Sequence, residues 1–242
     1  MNLYRVLPPP PEVFDLEDPH SLRALVEMYR PDGDHSARAI MVTNSAGDTV
    51  SPEGSSTQLS RGADRALLAA LREDADAVLV GASTIRHEVV PLPRHTPLVV
   101  LSASGDLRGH QLRSRHAPEE RLIIATPAEH HDHLAEALRE VPWEPLAWNP
   151  GSPPEELADA VRARVDGGQL LIEGGQVTWE YCAPLTTELL ISTTPPPRDH
   201  HQGVPPWWPT SLEDWELRSL LTDDDKMLYY RHVAPAAARP PV

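Results

Sequence analysis

Four short segments place small, polar or flexible residues directly after an apolar run: Gly81-Ala82-Ser83-Thr84, Ser102-Ala103-Ser104, Ala125-Thr126 and Glu173-Gly174-Gly175. The apolar runs read as buried strands, and ligands of open α/β sheets lie at the carboxyl ends of strands. Glycines there let the main chain approach a phosphate, and the start of a following helix adds free N–H groups and a positive dipole end. Glu173 opposes that use, because a carboxylate repels phosphate. It is better employed as an acceptor for a hydroxyl or for a backbone N–H that fixes the loop. A strand followed by two glycines is also an ordinary turn, and the chain holds neither a G-x-G-x-x-G nor a P-loop pattern.

Other residues with chemical potential are less well arranged. His130, His131 and His133 do not share one helical stripe, so HHDH reads as a solvated helix start and no metal site is expected. His200 and His201 sit in a proline-rich loop with only Asp199 beside them. His87 and Glu88 follow the Gly81 turn within reach of a substrate there. Ser60 and Arg61 open a helix, where Ser60 is a cap first and a substrate ligand second. Lys226 is the only lysine, so any mechanism needing an amine must use it. Trp207 and Trp208 read either as an aromatic wall for a flat substrate or as cover for an edge or a dimer contact.

The elements that position these residues follow from periodicity. Ser21–Tyr29 and Ser60–Asp74 carry apolar residues at helical spacing behind capping serines. Buried strands are expected at Ala37–Thr43, Ala77–Val80, Pro97–Gly105, Arg121–Pro127, EPLAW and QLLIEGG, with helices between most of them. Thr186–Thr193 and Lys226–Val233 add two late strands that pair antiparallel at an edge across a long proline-rich excursion. The polar loop Asn44–Leu59 is long enough to have a task. The organisation expected is a lead-in at 1–36, one α/β domain at 37–234 and a proline-rich tail at 235–242, with a largely parallel sheet covered on both faces.

Composition narrows the function. A net charge of −15, from 36 acids against 21 bases, repels phosphate backbones and argues against nucleic acid and anionic membranes as partners. The single cysteine, Cys182, permits no internal disulfide. No run approaches the ~18 apolar residues of a membrane span. A cytoplasmic protein acting on small molecules is expected.

Taken in order, RAIMVTNSAGDTV, LSRGADRALLAALREDADAVLVGASTIRHE, PLVVLSASGDL, RLIIATP, LLIEGG and TTELLIST resemble the reductase domain of the riboflavin pathway. More narrowly, the chain resembles the actinobacterial pyrimidine reductase group over Leu3–Thr193. The resemblance implies a dihydrofolate-reductase-like three-layer α/β fold, with a mostly parallel central sheet and an antiparallel C-terminal edge strand. It implies an NADPH-dependent homodimer delivering hydride to the ring-opened ribose imine of a pyrimidine intermediate.

On the matching positions, Gly81, Ser83, Thr84 and the turn Glu173, Gly174, Gly175, Gln176 would hold the nicotinamide half and the pyrophosphate. Ser102 and Ser104 would receive the adenosine 2′-phosphate, with Arg108 adding charge, and Val42 and Thr43 would face the nicotinamide amide. The substrate half departs from the family. Its S-x-D-G pattern is replaced by Asn44-Ser45-Ala46-Gly47, with Asp48 one place further on, and TPPPRDHHQGVPPWWP stands where a glycine-rich segment is expected. The implied catalyst is a reductase repurposed for specialised metabolism, with Asn44, Asp48, Ser60, His87 and Glu88 as substrate-side candidates. The alternative is a non-catalytic dimeric ligand-binding or structural member of the same fold.

Overall fold

The computed structural model describes residues 1–33, 35–44, 46–49, 56, 59–194 and 212–235. Trp207, Trp208, His200, His201, Ser45, most of the polar loop and nearly all of the tail lie outside the described residues. The chain divides into two compact units, Met1–Leu71 with Thr186–Val242, and Arg72–Leu185.

The first unit begins with strands β1 (Asn2–Leu7) and β2 (Glu12–Asp15), an antiparallel pair. Helix α1 (Pro19–Met28) follows. Its cap is Asp18 rather than Ser21: the Asp18 carboxylate accepts from the His20 and Ser21 N–H groups, and the Ser21 hydroxyl accepts from the Asp15 N–H at 2.7 Å. Aspartate is as good a cap as serine, and Pro19 suits the first helical position. Strand β3 (His35–Thr43) is buried along most of its length, and helix α2 (Gly62–Asp74) packs Ala63, Leu67 and Leu71 inward. The buried Ser60 hydroxyl accepts no N–H of α2 and faces the Asp64 carboxylate, so the expected cap is not made. The Ser60 carbonyl instead accepts from Arg65 Nε.

The second unit repeats strand and helix. After β4 (Ala77–Gly81) come α3 (Ala82–His87), β5 (Val90–Pro91), β6 (Leu98–Leu101), β7 (Leu112–Arg113) and β8 (Leu122–Thr126). A short 3-10 turn at Ala128–His130 leads into α4 (His131–Ala137), then β9 (Glu144–Ala147), α5 (Pro154–Arg162), β10 (Gly168–Ile172) and α6 (Gln176–Cys182). Within this unit the strands run β10-β4-β6-β8-β9, every pairing parallel, while β5 and β7 form a separate two-stranded ribbon. Strands β4, β6 and β8 are buried at every residue, as parallel strands covered on both faces must be.

The chain then returns to the first unit with β11 (Glu188–Thr193), β12 (Glu216–Asp223) and β13 (Leu228–Val233). The order there is β2-β1-β12-β13-β11-β3. Only β11 and β3 pair in parallel. The late strands pair antiparallel as expected, and the antiparallel part extends further through β12, β1 and β2. One polar knot ties it down. Arg231 forks onto Glu188 at 2.9 and 2.8 Å, and its remaining N–H groups donate to the Met28 and Arg30 carbonyls behind α1. These carbonyls are the unpaired acceptors that every helix end leaves.

Candidate functional site

The tips of β4 and β10 lie side by side in the second unit, with Leu79 registered on Ile172 and the Glu173 N–H donating to the Leu79 carbonyl at 2.7 Å. Gly81 and Gly175 are the N-caps of α3 and α6, and neither helix start receives a side-chain cap. Two adjacent strand ends therefore lead into helix starts whose N–H groups are not met by a capping side chain. Close packing requires the glycines at 81 and 174. Gly174 has φ of +122°, and an added Cβ would lie 3.1 Å from the Gly81 nitrogen and 3.3 Å from Thr84 Oγ1. A side chain on Gly81 would collide with the Thr178 hydroxyl, whereas one on Gly175 would meet open space.

The carboxylate at this tip is fully occupied. Arg72, in the last turn of α2, donates through Nε to Glu173 Oε1 at 2.7 Å and through Nη2 to Oε2. Burial works against the guanidinium's charge, but the Glu173 carboxylate overrides it, and Glu88 adds to the effect, so Arg72 is held above the usual arginine range. Glu173 thus fixes the loop, as its acceptor role suggested, with a side-chain partner in place of a backbone N–H.

The neighbouring tips of β6 and β8 carry hydroxyls. Ser102 and Thr126 are 2% and 0% exposed, and Ser102 Oγ and Thr126 Oγ1 have no hydrogen-bond partner. Pairing of Leu101 with Ala125 sets the two residues at the same level. A buried hydroxyl left unpaired is costly unless something else meets it. Ser104 is exposed and accepts from the Asp106 N–H, while Arg108 forks onto Asp106 at 2.9 Å through both contacts. Arg108's charge is already matched there.

The other predicted residues of this unit are placed as follows. Ser83 is exposed on α3, and its carbonyl and hydroxyl hold His87 Nδ1 at 2.8 and 3.4 Å. The His87 ring is therefore folded back on its own helix. Gln176 Nε2 donates to Glu180 along α6 at 2.6 Å. Sequence reading missed Arg72, Thr178 and a half-buried aromatic pair beyond β9, where Trp148 Nε1 donates to the Tyr181 hydroxyl at 3.0 Å. Nothing in the local sequence marks these contacts, because each partner lies far along the chain.

In the first unit, Thr43 is buried and Val42 half-buried at the end of β3. Asn44 and Asp48 close a turn on each other: Asn44 Nδ2 donates to Asp48 Oδ2 at 2.8 Å, and Asn44 Oδ1 accepts from the Ala46 and Asp48 N–H groups. Asp64 is buried in the first turn of α2, and burial holds its carboxyl above the usual range despite the Ser192 hydroxyl. The Tyr229 hydroxyl donates to Asp223 at 2.7 Å.

No protein-family model matches the chain, and no curated protein does. Solved structures do. A pyrimidine reductase-like protein from Corynebacterium diphtheriae superposes with a TM-score of 0.63 at 24% identity, over 83% of this chain and 92% of its own. The fold is that of the pyrimidine reductases. The same pyrimidine-reductase fold is found in the diaminohydroxyphosphoribosylaminopyrimidine deaminase/5-amino-6-(5-phosphoribosylamino)uracil reductase of Thermotoga maritima, with a TM-score of 0.63, 18% identity and 84% of this chain covered. This chain spans 57% of that longer protein. The riboflavin biosynthesis reductase of Saccharomyces cerevisiae aligns with a TM-score of 0.58 at 9% identity, over 88% of this chain and 98% of its own. The α/β fold that the resemblance implied, shared with pyrimidine reductases, is therefore borne out. Among the described residues no helix is long and apolar enough to cross a membrane.

Proposed function

We propose that the chain is an NADPH-dependent reductase that transfers hydride to a pyrimidine-like (ribosylaminopyrimidine) or related heterocyclic imine substrate. The observation that carries this reading is the pair of uncapped helix starts after adjacent parallel strands β4 and β10. The likeness in fold to reductases supports it.

The residues present fit a dinucleotide. Gly174 and Gly175 keep side chains out of the turn, and the main-chain N–H groups at Gly175, Gln176, Ser83 and Thr84, at uncapped helix starts, are suited to the pyrophosphate. The orphan hydroxyls of Ser102 and Thr126 lack only an acceptor, and exposed Ser104 stands beyond Ser102 to meet the 2′-phosphate. With Arg108 matched by Asp106, selection for that phosphate falls to hydroxyls and main chain. NADPH, when bound, supplies the hydride. The protein's own task is then to hold the nicotinamide against an electrophilic carbon and to exclude water.

On the substrate side, Asp48 is committed to Asn44 within its own turn, which supports a substrate different from that of reductases keeping the S-x-D-G acid. Glu88, whose field reaches Arg72, is the stronger candidate of the α3 pair, because His87 is held by Ser83. A homodimer acting in the cytoplasm belongs to the same reading, and sedimentation checks the dimer.

Calorimetric titration with NADPH tests the proposal. Saturable binding, weaker with NADH, is expected, and absence of heat at millimolar cofactor would remove it. Oxidation of NADPH by the ribosylaminopyrimidine would show the riboflavin-pathway substrate and defeat the repurposed reading.

A further inference from the structure

Replacing a buried ion pair with apolar side chains is often neutral or stabilising, so the Arg72–Glu173 pair is weak evidence for stability and what it fixes is the more informative question. Here the partners are 18% and 9% exposed, and they join the last turn of α2 to the first residue after β10. The Glu173 carboxylate is drawn to Arg72, while the next residue, Gly174, packs at φ of +122° against the Gly81 nitrogen and Thr84 Oγ1.

Resting on the reductase reading above, we infer that Arg72 is a positioning residue for the dinucleotide. It cancels the Glu173 charge and pins that side chain away from the Gly174-Gly175 main chain that meets phosphate. Glu173 directly precedes the glycine turn. A free negative charge about 8 Å from a phosphate, in an effective dielectric of about 20, would lower affinity roughly 30-fold. Glu88 also acts on Arg72, so the one guanidinium balances acids that follow both strand tips.

The experiment uses the full chain and calorimetric NADPH titration at low and high salt. Arg72→Met is expected to weaken binding about 30-fold at low salt and by clearly less at ~0.5 M salt, where the charge is screened. Adding Glu173→Gln to that variant is expected to restore most of the affinity, which a loop that had merely collapsed would not allow. Should Arg72→Met fail to fold, the double variant decides alone: affinity within about fivefold of the unaltered chain supports the inference, and a larger loss overturns it. Binding by a folded Arg72→Met chain within threefold of the unaltered one also overturns it, as does a double variant no better than the single. If the unaltered chain binds no NADPH, the reductase reading falls and takes this inference with it; in every other outcome the two are judged separately.

Discussion

Glu188 with Arg231 in the first unit and Glu173 with Arg72 in the second are the same chemistry in different settings. Both are buried forks, the first pair only 2% and 4% exposed. Arg231 spends its remaining donors on the carbonyls behind α1, so each of its own side-chain nitrogens has a partner within the unit. Arg72 instead holds the residue that precedes a glycine turn, and in the same unit the helix starts after β4 and β10 have no side-chain cap and the hydroxyls of Ser102 and Thr126 are unpaired. A buried ion pair therefore says little by its presence. The polar groups next to it show whether it completes a scaffold or prepares a site.

That contrast can be broken from either side. Arg231→Met leaves Glu188 buried without its partner and uncovers the α1 carbonyls, so urea unfolding should report a loss of roughly 3–5 kcal/mol. NADPH affinity of the molecules still folded should be unchanged, and lost affinity at normal stability would erase the distinction. Gly174→Asp should do the reverse. It adds bulk and negative charge at φ of +122°, beside the Gly81 nitrogen, and should weaken NADPH at least about 30-fold while costing only about 1–2 kcal/mol of stability.

A smaller effect is expected from His232 on β13, whose Nε2 is buried without a hydrogen bond. Burial lowers its pKa from 6.5 to about 4. The unfolded chain then takes up the proton first, so the contribution of the neutral ring is complete above pH 6.5 and is lost as pH falls toward 4. Urea titrations at pH 7 and pH 4 should show His232→Leu losing roughly 3 kcal/mol less than the unaltered chain over that range. An equal loss in both would place acid sensitivity elsewhere. The mildest test concerns Cys182, whose thiol burial pushes up to about 12. A thiol reagent at pH 8 should leave it unmodified until denaturant is added.

The parallel strands of the second unit were legible because VLV, LVVL, LIIA and LLI are continuous apolar runs ended by small residues, which is how strands covered on both faces read. The antiparallel part was legible only in β11 and β13. Strand β12 escaped because its inward positions, Ser219, Leu221 and Asp223, hold one apolar residue among polar ones. In β1 only Leu3 is buried, too little for an alternating pattern to stand out. The glycine and hydroxyl residues that follow the apolar runs were visible in the sequence, and the structure sets them at strand ends. What holds them was not, since Arg72 and Glu173 lie 101 residues apart and a helical arginine is ordinarily read as exposed. Ser60 shows the opposite error: a good capping residue in a good position makes no cap, because Asp64 and its surroundings enclose the start of α2 and bury it.

The central claim is that phosphate meets main-chain amides at the ends of β4 and β10. A crystal of the full chain grown with NADP⁺ tests it most directly. The account predicts the pyrophosphate against the N–H groups of Gly175 and Gln176, with Arg72 still forked onto Glu173. A dinucleotide bound elsewhere, or those amides covered by the chain's own side chains in the presence of saturating NADP⁺, would contradict it.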